Sequence, residues 1–490
     1  MRWKMKLIGG LFVALLLLTL IVFWNTLRLP SLPTANEPKS GPPSGLDAAV
    51  KRLSAAIQIP TISYGGGKPI DEKSFAALHA LLTASYPLTH AALKREVIGG
   101  WSLLYTWQGT DPSLPPILLT AHQDVVPIEP GTEGNWTHPP FSGAIVEGFV
   151  WGRGALDNKH MLMATLEGVE RLLAEGAKPK RTVLLAFGHD EALSGPQGAK
   201  AITDLLFERK VRALFSLDEG AAILNGAIPG VSLPIAQIGL SEKGFLSLQL
   251  KATAKGGHSS MPPPQTAVGK IGRAVARLEA NQMPASLAGP GADGLRAIAP
   301  AMPFGVRMVV ANDWLFGPLL LRQLSAASTT NAMIRTTTAP TIIQGGVKEN
   351  VLPSEATAVV NFRLAPGDTV EQVKAHVQKS IDDPDVTFTD YGRPGVEATP
   401  VADKNGPGFK LIADAIRGIA PDAIVAPGLV VTGTDSKHYS RISAGAYRFA
   451  PVRMSMSDIS RIHATNERIG TANYGELISF YVALVRAAAM

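Results

Sequence analysis

TVLLAFGHDEALSGPQGA, residues 182–199, joins an uninterrupted apolar run to an acidic pair and a predicted helix start. Residues 182–187 form the apolar run, and Asp190 and Glu191 follow it closely. A continuous rather than alternating run is typical of a strand that is buried on both faces of a parallel sheet. The stretch therefore predicts an α/β fold with an acidic site at the end of a strand.

Two other apolar runs end in the same way. Residues 117–120 lead into His122 and Asp124, and residues 211–217 lead into Asp218 and Glu219. In open α/β sheets, ligands gather at the carboxyl ends of the strands. Three strands that each end in histidine or acidic residues therefore predict one shared site.

The remaining pattern predicts helices around this sheet and a second domain. Between residues 162 and 173 leucine and valine recur at helical spacing, and Gly176 is placed to end that helix. From about residue 242 the pattern alternates, as in a strand with one wet face. Later segments predict a helix at 266–281, strands at 341–344 and 357–364, a helix at 369–381 with a Thr369/Gln372 capping box, and strands at 429–432 and 447–451 that return to the first sheet.

Composition limits the class of protein. The chain has 490 residues, of which 46% are hydrophobic, so it can bury a large core. Its net charge is +6, but four basic residues lie among the first 30, which leaves 42 basic against 40 acidic residues elsewhere. A near-neutral body argues against a nucleic-acid partner. The absence of cysteine excludes disulfides, thiolate metal sites and cysteine nucleophiles.

The N-terminus carries a candidate membrane anchor. Residues 7–24 are uncharged and apolar, and at about 1.5 Å per residue they nearly span a hydrocarbon core of roughly 30 Å. Three basic residues precede this run, which places the N-terminus in the cytoplasm and the body on the periplasmic, extracellular or lumenal side. A cleaved signal peptide is the alternative, but no small-x-small site directly follows the run, so we expect an uncleaved anchor.

The residue types at the strand ends suit a metal-dependent hydrolase. Zinc binds imidazole nitrogen and carboxylate oxygen, and a pair of zinc ions needs a bridging carboxylate with terminal ligands on each side. A glutamate beside such a site is a natural general base. The candidate segments are His122-x-Asp124, Asp157, Asp190-Glu191, Asp218-Glu219 and His463.

The chain resembles the aminoacylase and carboxypeptidase S group of co-catalytic zinc peptidases over nearly its whole length after the N-terminal segment. The matching blocks occur in order and are AHQDVVP (121–127), NWTHPPF (135–141), GRGALDNK (152–159), FGHDE (187–191), SLDEG (216–220), GGHSS (256–260), ENVLP (349–353), NFRLAPGD (361–368), GTDSKHY (433–439) and IHATNE (462–467). It looks most like the membrane-anchored or secreted branch, which acts on N-acyl amino acids or short peptides.

The resemblance implies a fold and a division of the chain. The fold is α/β, with a mixed, largely parallel sheet flanked by helices and an inserted α+β lid or dimerisation domain. The expected units are a membrane anchor (1–28), a Pro-rich linker (29–45), the catalytic domain in two parts (46–240 and 367–490), and the inserted domain between them (241–366).

The resemblance also implies roles for individual residues. His122 and Asp218 become ligands of one zinc ion, Asp157 the bridge and His463 a ligand of the other zinc ion. Glu219 is the alternative to Asp218. Glu191 becomes the general base, and Asp124 the partner that fixes the His122 imidazole. His258, in the inserted domain, would stabilise the oxyanion of a neighbouring protomer's substrate and so requires a homodimer or an equivalent contact; a turn histidine is the alternative.

Position 192 departs from the family pattern. The family has a second glutamate there, which completes the metal site shared by Asp157 and His463, whereas this chain has Ala192. Three alternatives follow: an active enzyme with one zinc ion or a weak second site, recruitment of Glu191 or Asp190 as a ligand, or loss of catalysis.

We therefore expect a zinc-dependent hydrolase that cleaves the amide bond of N-acyl amino acids or short peptides. The competing hypothesis is a catalytically impaired, membrane-tethered protein that binds peptides or acyl amino acids.

Overall fold

The structure is a computed structural model that describes residues 2–30, 32, 43–65 and 67–490. Most of the expected Pro-rich linker, residues 29–45, lies outside the described residues.

The described chain alternates helices with strands. Its helices are α1 Arg2–Leu27, α2 Leu46–Ile57, α3 Glu72–Ser85, α4 Pro87–Ala92, α5 Lys159–Ala174, α6 Ala199–Glu208, α7 Ala267–Ala280, α8 Pro290–Ile298, α9 Phe304–Ala311, α10 Asp313–Ser325, α11 Ser328–Ile334, α12 Val370–Ile381, α13 Pro407–Ile419, α14 Ser436–Tyr439, α15 Met456–Ile459 and α16 Thr471–Ala489. Its strands are β1 Lys94–Ile98, β2 Ser102–Trp107, β3 Ile117–His122, β4 Ile145–Val146, β5 Phe149–Trp151, β6 Val183–Gly188, β7 Phe215–Asp218, β8 Ile223–Leu224, β9 Ile235–Glu242, β10 Leu246–Thr253, β11 Gly257–His258, β12 Thr337–Gly345, β13 Val351–Leu352, β14 Glu355–Arg363, β15 Val386–Asp390, β16 Ile424–Val430, β17 Ala446–Arg448, β18 Arg453–Met454 and β19 Arg468–Gly470.

A mixed sheet forms the centre of the larger unit. Its strands follow the order β1-β2-β6-β3-β7-β17-β9-β8-β18, and β16 pairs with β9. The pairs β3–β6, β3–β7, β7–β17 and β9–β16 are parallel, while β1–β2 and β2–β6 are antiparallel. Helices α2, α5, α13 and α16 bury their apolar side chains against it. The expected largely parallel sheet flanked by helices is confirmed.

The apolar runs that predicted the sheet form its centre. Every residue of β3 and β6 is buried, as a continuous rather than alternating run requires. Helix α5 follows at the predicted place and ends before Gly176, which has a φ of +75°. Glycine occupies this left-handed conformation without steric cost and is the common terminator of helices.

A second unit is built on an antiparallel sheet of order β12-β14-β10-β15. Strand β10 faces its core with Leu246, Leu248 and Leu250, which pack with apolar side chains from α7 and α12. The capping box predicted for α12 is present, since Thr369 Oγ1 accepts from the Gln372 amide and the Gln372 side chain accepts from the Thr369 amide.

Two segments lie in a different unit from the expected one. Residues 370–390, which the expected division assigned to the catalytic domain, form α12 and β15 of the second unit, so the turn at residues 366–367 is internal to that unit. Conversely, α8 to α10 pack on the large sheet. Ile298 and Ala299 share a core with Ile424 and Ala426 of β16.

Helix α1 is long and apolar enough to cross a membrane. Among the side chains of α1 that the structure describes, only Val22 and Thr26 are buried. Its place near the N-terminus is compatible with either a membrane anchor or a signal sequence.

Candidate metal centre and active site

Three neighbouring parallel strands bring the candidate residues to one edge of the sheet. Strand β3 lies between β6 and β7, and its last residue is His122. Strand β6 leads directly into the segment that carries Glu191, and β7 ends at Asp218. The predicted shared edge therefore exists, because parallel neighbours end on the same side of a sheet.

The side chains of His122, Asp157 and Glu219 converge there. His122 Nε2 lies 2.9 Å from Asp157 Oδ1 and 3.2 Å from Glu219 Oε1. The three residues can offer ligand atoms that all lie within 4.8 Å of one another. One imidazole and two carboxylates are donors that suit a zinc ion.

The electrostatics of this cluster indicate that it needs a positive charge. Burial acts to lower the pKa of His122, but Glu219, Asp124 and Asp157 outweigh burial and raise that pKa well above its usual value. Burial and Asp157 raise the pKa of Glu219 to about 7. A buried nitrogen that faces two carboxylates requires a proton or a metal ion between them. The residues present therefore fit a divalent cation.

Asp157 has the geometry of a bridge. Its Oδ1 faces His122, and its Oδ2 lies 2.6 Å from His463 Nε2. Burial would raise the pKa of Asp157, but the two imidazoles lower it strongly. The carboxylate thus stands between two histidines, as a ligand shared by two adjacent metal ions does.

Glu219, rather than Asp218, completes the cluster with His122. Asp218 Oδ2 instead lies 3.3 Å from Thr434 Oγ1, and the Asp218 side chain is buried. Thr434 also donates its backbone N–H and its hydroxyl to Glu242, which pairs with Arg448 Nε at 2.9 Å. Glu219 therefore lies with His122 and Asp157, whereas Asp218 lies beside Thr434.

His463 lies on an exposed loop that buried charges hold in place. Its backbone φ is +63°, in the left-handed region, and its carbonyl accepts from Arg153 Nη2. Arg153 also pairs with Glu467, whose Oε1 accepts the backbone N–H groups of Gly154, Leu156 and Asp157. Glu467 therefore links the loop of Asp157 to the loop of His463. No role was predicted for Arg153 or Glu467, although charged residues in the blocks GRGALDNK and IHATNE were a usable signal.

Asp124 supports both His122 and the loop that carries Glu191. The imidazole Nδ1 lies 2.9 Å from the Asp124 carbonyl oxygen and 3.3 Å from its carboxylate. The Asp124 carboxylate also accepts the backbone N–H groups of Glu191 and Ala192, both at 3.2 Å. Both the backbone carbonyl and the carboxylate of Asp124 therefore contact Nδ1 of the His122 imidazole.

Glu191 is a half-buried carboxylate beside the cluster. Burial raises its pKa well above the usual value, and Glu219, Asp435 and Asp157 act in the same direction against His122. Its neighbour Ala192 is exposed, so its methyl group leaves open space rather than a filled core position. Asp190 is already engaged, because it accepts the N–H groups of Gln197 and Gly198.

His258 lies away from this cluster, in the second unit. It belongs to the short β11–β13 ribbon, is exposed, and has Nδ1 2.7 Å from Ser260 Oγ. In the described part of the chain no hydrogen bond joins His258 to His122, Asp157 or Glu191.

Comparison with known proteins agrees with this fold. Residues 118–487 match the model of peptidase family M20/M25/M40. The chain is 38% identical to the probable carboxypeptidase S-like 2 of Dictyostelium discoideum, over 98% of this chain and 93% of that protein. It is also 38% identical to the N-fatty-acyl-amino acid synthase/hydrolase PM20D1 of Xenopus tropicalis, over 99% of this chain and 96% of that protein.

Solved structures share the fold at lower identity. An M20 family metallo-carboxypeptidase from Sulfolobus solfataricus is similar with a TM-score of 0.63 and 19% identity, over 89% of this chain and 98% of that chain. A dinuclear metal-binding M20 peptidase from Bacillus subtilis is similar with a TM-score of 0.55 and 12% identity, over 91% of this chain and 99% of that chain. Sequence and fold agree that this chain belongs to peptidase family M20/M25/M40 and is a metallopeptidase or amidohydrolase of the carboxypeptidase S-like type.

Proposed function

We propose that the protein is a zinc-dependent hydrolase that cleaves the amide bond of N-acyl amino acids or short peptides. The observation that carries this proposal is the convergence of His122, Asp157 and Glu219 beside the half-buried carboxylate of Glu191. The names of the relatives support the substrate class, since one is a carboxypeptidase S-like protein and another an N-fatty-acyl-amino acid synthase/hydrolase.

Some of the site residues would bind zinc, and Glu191 would transfer the proton. His122 and Glu219 would hold one zinc ion, His463 the other, and Asp157 would be shared between them. Zinc, when bound, supplies Lewis acidity that makes water more acidic and polarises a carbonyl group. Asp124 keeps the His122 imidazole oriented through its carbonyl and carboxylate oxygens.

Glu191 would act as the general base. It removes a proton from the attacking water as the new C–O bond forms, and it returns that proton to the amine nitrogen as the C–N bond breaks. The products are a carboxylate and a free amine, so water is consumed and no further reactant is needed. A raised pKa makes Glu191 a stronger proton acceptor than an ordinary carboxylate, which favours the removal of a proton from water.

The second zinc site is weaker in this proposal. In the described chain Asp157 and His463 face each other, and the exposed methyl of Ala192 supplies no ligand. Asp190 is not a convenient substitute, because its carboxylate is bound to two backbone N–H groups. We therefore propose one firm zinc site and one site with few protein ligands.

His258 would act in a homodimer. Its ring is exposed at the edge of the second unit, where a partner could approach it, and a donor of this kind often contributes about 3 kcal/mol to the stabilisation of an oxyanion. Helix α1 would span the membrane, with the N-terminus in the cytoplasm and the body on the other side.

An activity screen tests the proposal. Purified full-length protein is assayed against N-acyl amino acids of different chain length and against dipeptides, with Glu191→Gln beside it. Since a general base contributes about 10²- to 10⁴-fold, the variant should lose at least about 100-fold in kcat. The matched control is Glu208→Gln, an exposed glutamate at the end of α6, which should retain full activity. Absence of any amide hydrolysis by the zinc-loaded wild type would favour the impaired, ligand-binding alternative.

A further inference from the structure

Helices α9 and α10 expose apolar side chains that the catalytic role does not use. The two helices meet at Asn312 with a bend of 116° between their axes. One side of the pair packs on the body, where Val310 and Leu320 are buried in the core shared with β16. The side chains on the other side are large and apolar, and they include Phe304 (45% exposed), Val306 (49%), Trp314 (58%), Leu315 (37%) and Leu319 (56%). We call these five residues the α9–α10 face.

Such a face needs an explanation, because a helix that is apolar on nearly all sides is normally buried in a protein core or in a membrane. Large contiguous exposed apolar patches on soluble proteins usually mark an interaction surface. The charge pattern points to a lipid rather than a polar partner. Asp313 is the only acidic residue in the two helices, and its carboxylate is paired with Arg296 at 2.6 Å.

The α9–α10 face adjoins the candidate membrane span. Asn312, which is fully buried, joins the two parts: its side chain donates to the Val22 carbonyl at 3.1 Å and accepts from Asn25 Nδ2 at 3.0 Å. The rings of Phe23 and Phe304 pack with centroids 5.9 Å apart. A buried polar link of this kind fixes α9 and α10 against α1.

The position of these contacts along α1 gives the depth of the face. The apolar helix covers Trp3–Leu27, 25 residues, or about 37 Å at about 1.5 Å per residue. A hydrocarbon core is about 30 Å thick, so the last few residues can lie in the interfacial layer. Val22, Phe23, Asn25 and Thr26 all lie within about 8 Å of the C-terminal end of α1. Interfacial helices bury their apolar side about 5–10 Å into the bilayer, which agrees with this position.

We propose that the α9–α10 face is immersed in the interfacial layer of the bilayer that α1 spans, and that it holds the catalytic body against the membrane surface. This inference rests on the proposed membrane span of α1. An exposed tryptophan on the face is consistent with it, since tryptophan is enriched at the membrane–water boundary. The body would then have a fixed orientation, with α1 and the α9–α10 face as two attachment points rather than one flexible tether.

Site-specific labelling tests the proposal on the full chain. Because the protein contains no cysteine, Leu319→Cys provides a single attachment point for an environment-sensitive fluorophore. Val306→Cys is a second position on the same face in case the first variant does not fold, and folding is checked by amidase activity on a short-chain substrate. Val347→Cys is the matched control, because it replaces another apolar residue that is 96% exposed but lies in the second unit. Leu16→Cys, on α1, reports on the span itself.

Each labelled protein is reconstituted into phosphatidylcholine vesicles that contain a lipid with a nitroxide on its acyl chain. The proposal predicts at least twofold quenching of labels at positions 319 and 306 by this lipid, and little quenching by aqueous iodide. The label at position 347 should show the reverse. Quenching at position 16 but not at 319 or 306 would overturn the inference while retaining the span. Absence of lipid quenching at position 16 would overturn both. Labels at 319 and 306 that are protected from lipid and iodide alike would indicate a second copy of the chain on the face, and would also overturn it.

Discussion

The buried ion pair between Arg448 and Glu242 gives a stability prediction whose size follows from the structure. Both side chains are almost fully buried, at 0% and 2% exposure. Arg448 also donates to the Ala446 carbonyl and to Thr399, and Glu242 accepts two hydrogen bonds from Thr434, which in turn contacts Asp218. Glu242→Gln keeps the shape of the side chain but leaves a buried guanidinium without its counter-charge.

We expect Glu242→Gln to lower the free energy of unfolding by about 3–5 kcal/mol, the usual cost of removing one partner of a buried pair. The thermal midpoint should fall by roughly 3–5 °C, because the entropy of unfolding of a 490-residue chain is about 1 kcal/mol/K. Glu96→Gln is the control, since Glu96 pairs with Arg209 at the surface and the loss should be about 1 kcal/mol or less.

A double variant separates the unpaired charge from lost packing. Glu242→Gln combined with Arg448→Met removes both charges and should recover much of the stability that the single variant loses. Differential scanning calorimetry of the variants in the same detergent provides the comparison. If Glu242→Gln and Glu96→Gln shift the midpoint equally, the assignment of a large energetic role to the buried pair is refuted.

Three further predictions concern the metal centre. Glu219→Gln should lower zinc affinity by more than about 100-fold, because substitution of residues that only support a metal ligand already costs about 10- to 100-fold. Asp218→Asn should have the smaller effect. Equal effects of the two variants in titrations with a competing chelator would contradict the proposal that Glu219 is the ligand. Ala192→Glu should raise both the zinc content per chain and kcat, and an unchanged zinc content by elemental analysis would mean that another group already fills that site. The pKa values of His122 and Glu219 are raised in the folded protein. The stability that these two groups contribute is therefore present at low pH and is lost as the pH rises through their folded-state pKa values. For Glu219 that pKa is about 7. Zinc should therefore raise the thermal midpoint more at pH 8 than at pH 5.5, and an equal rise would contradict the proposed cluster.

The sheet edge could be predicted because each strand is a local apolar run. The strands that these runs form, β3 and β6, are buried along their whole length, and their parallel pairing brings the residues that follow them together. Helix α12 was equally accessible, since its capping box lies within four residues. Local patterns of this kind do not depend on what the rest of the chain does.

The sequence could not decide whether Asp218 or Glu219 lies beside His122. Successive side chains at a strand end point in different directions, so one position in register decides which carboxylate meets His122. The structure turns Glu219 toward the imidazole and Asp218 toward Thr434. The pair Glu242–Arg448 was hidden for a related reason, since its members come from different strands and meet only when β9 and β17 pair.

The boundaries between the two units could not be predicted from the composition of the chain. The turn at residues 366–367 looked like an exit from the inserted domain, but the chain continues in that unit through β15. Residues 290–325 were assigned to the inserted domain, yet they form α8 to α10, which contact the large sheet and α1. Those helices carry the proposed membrane face.

The most direct test of the proposed mechanism combines zinc content with turnover in one preparation. The protein is stripped with a chelator, reloaded with increasing zinc, and assayed for hydrolysis of an N-acyl amino acid, with Glu191→Gln treated in parallel. We predict that activity of the wild type rises with zinc up to at least about one ion per chain, and that Glu191→Gln binds the same zinc yet remains inactive. Full activity without zinc, or undiminished activity of Glu191→Gln, would contradict a zinc hydrolase in which Glu191 is the general base.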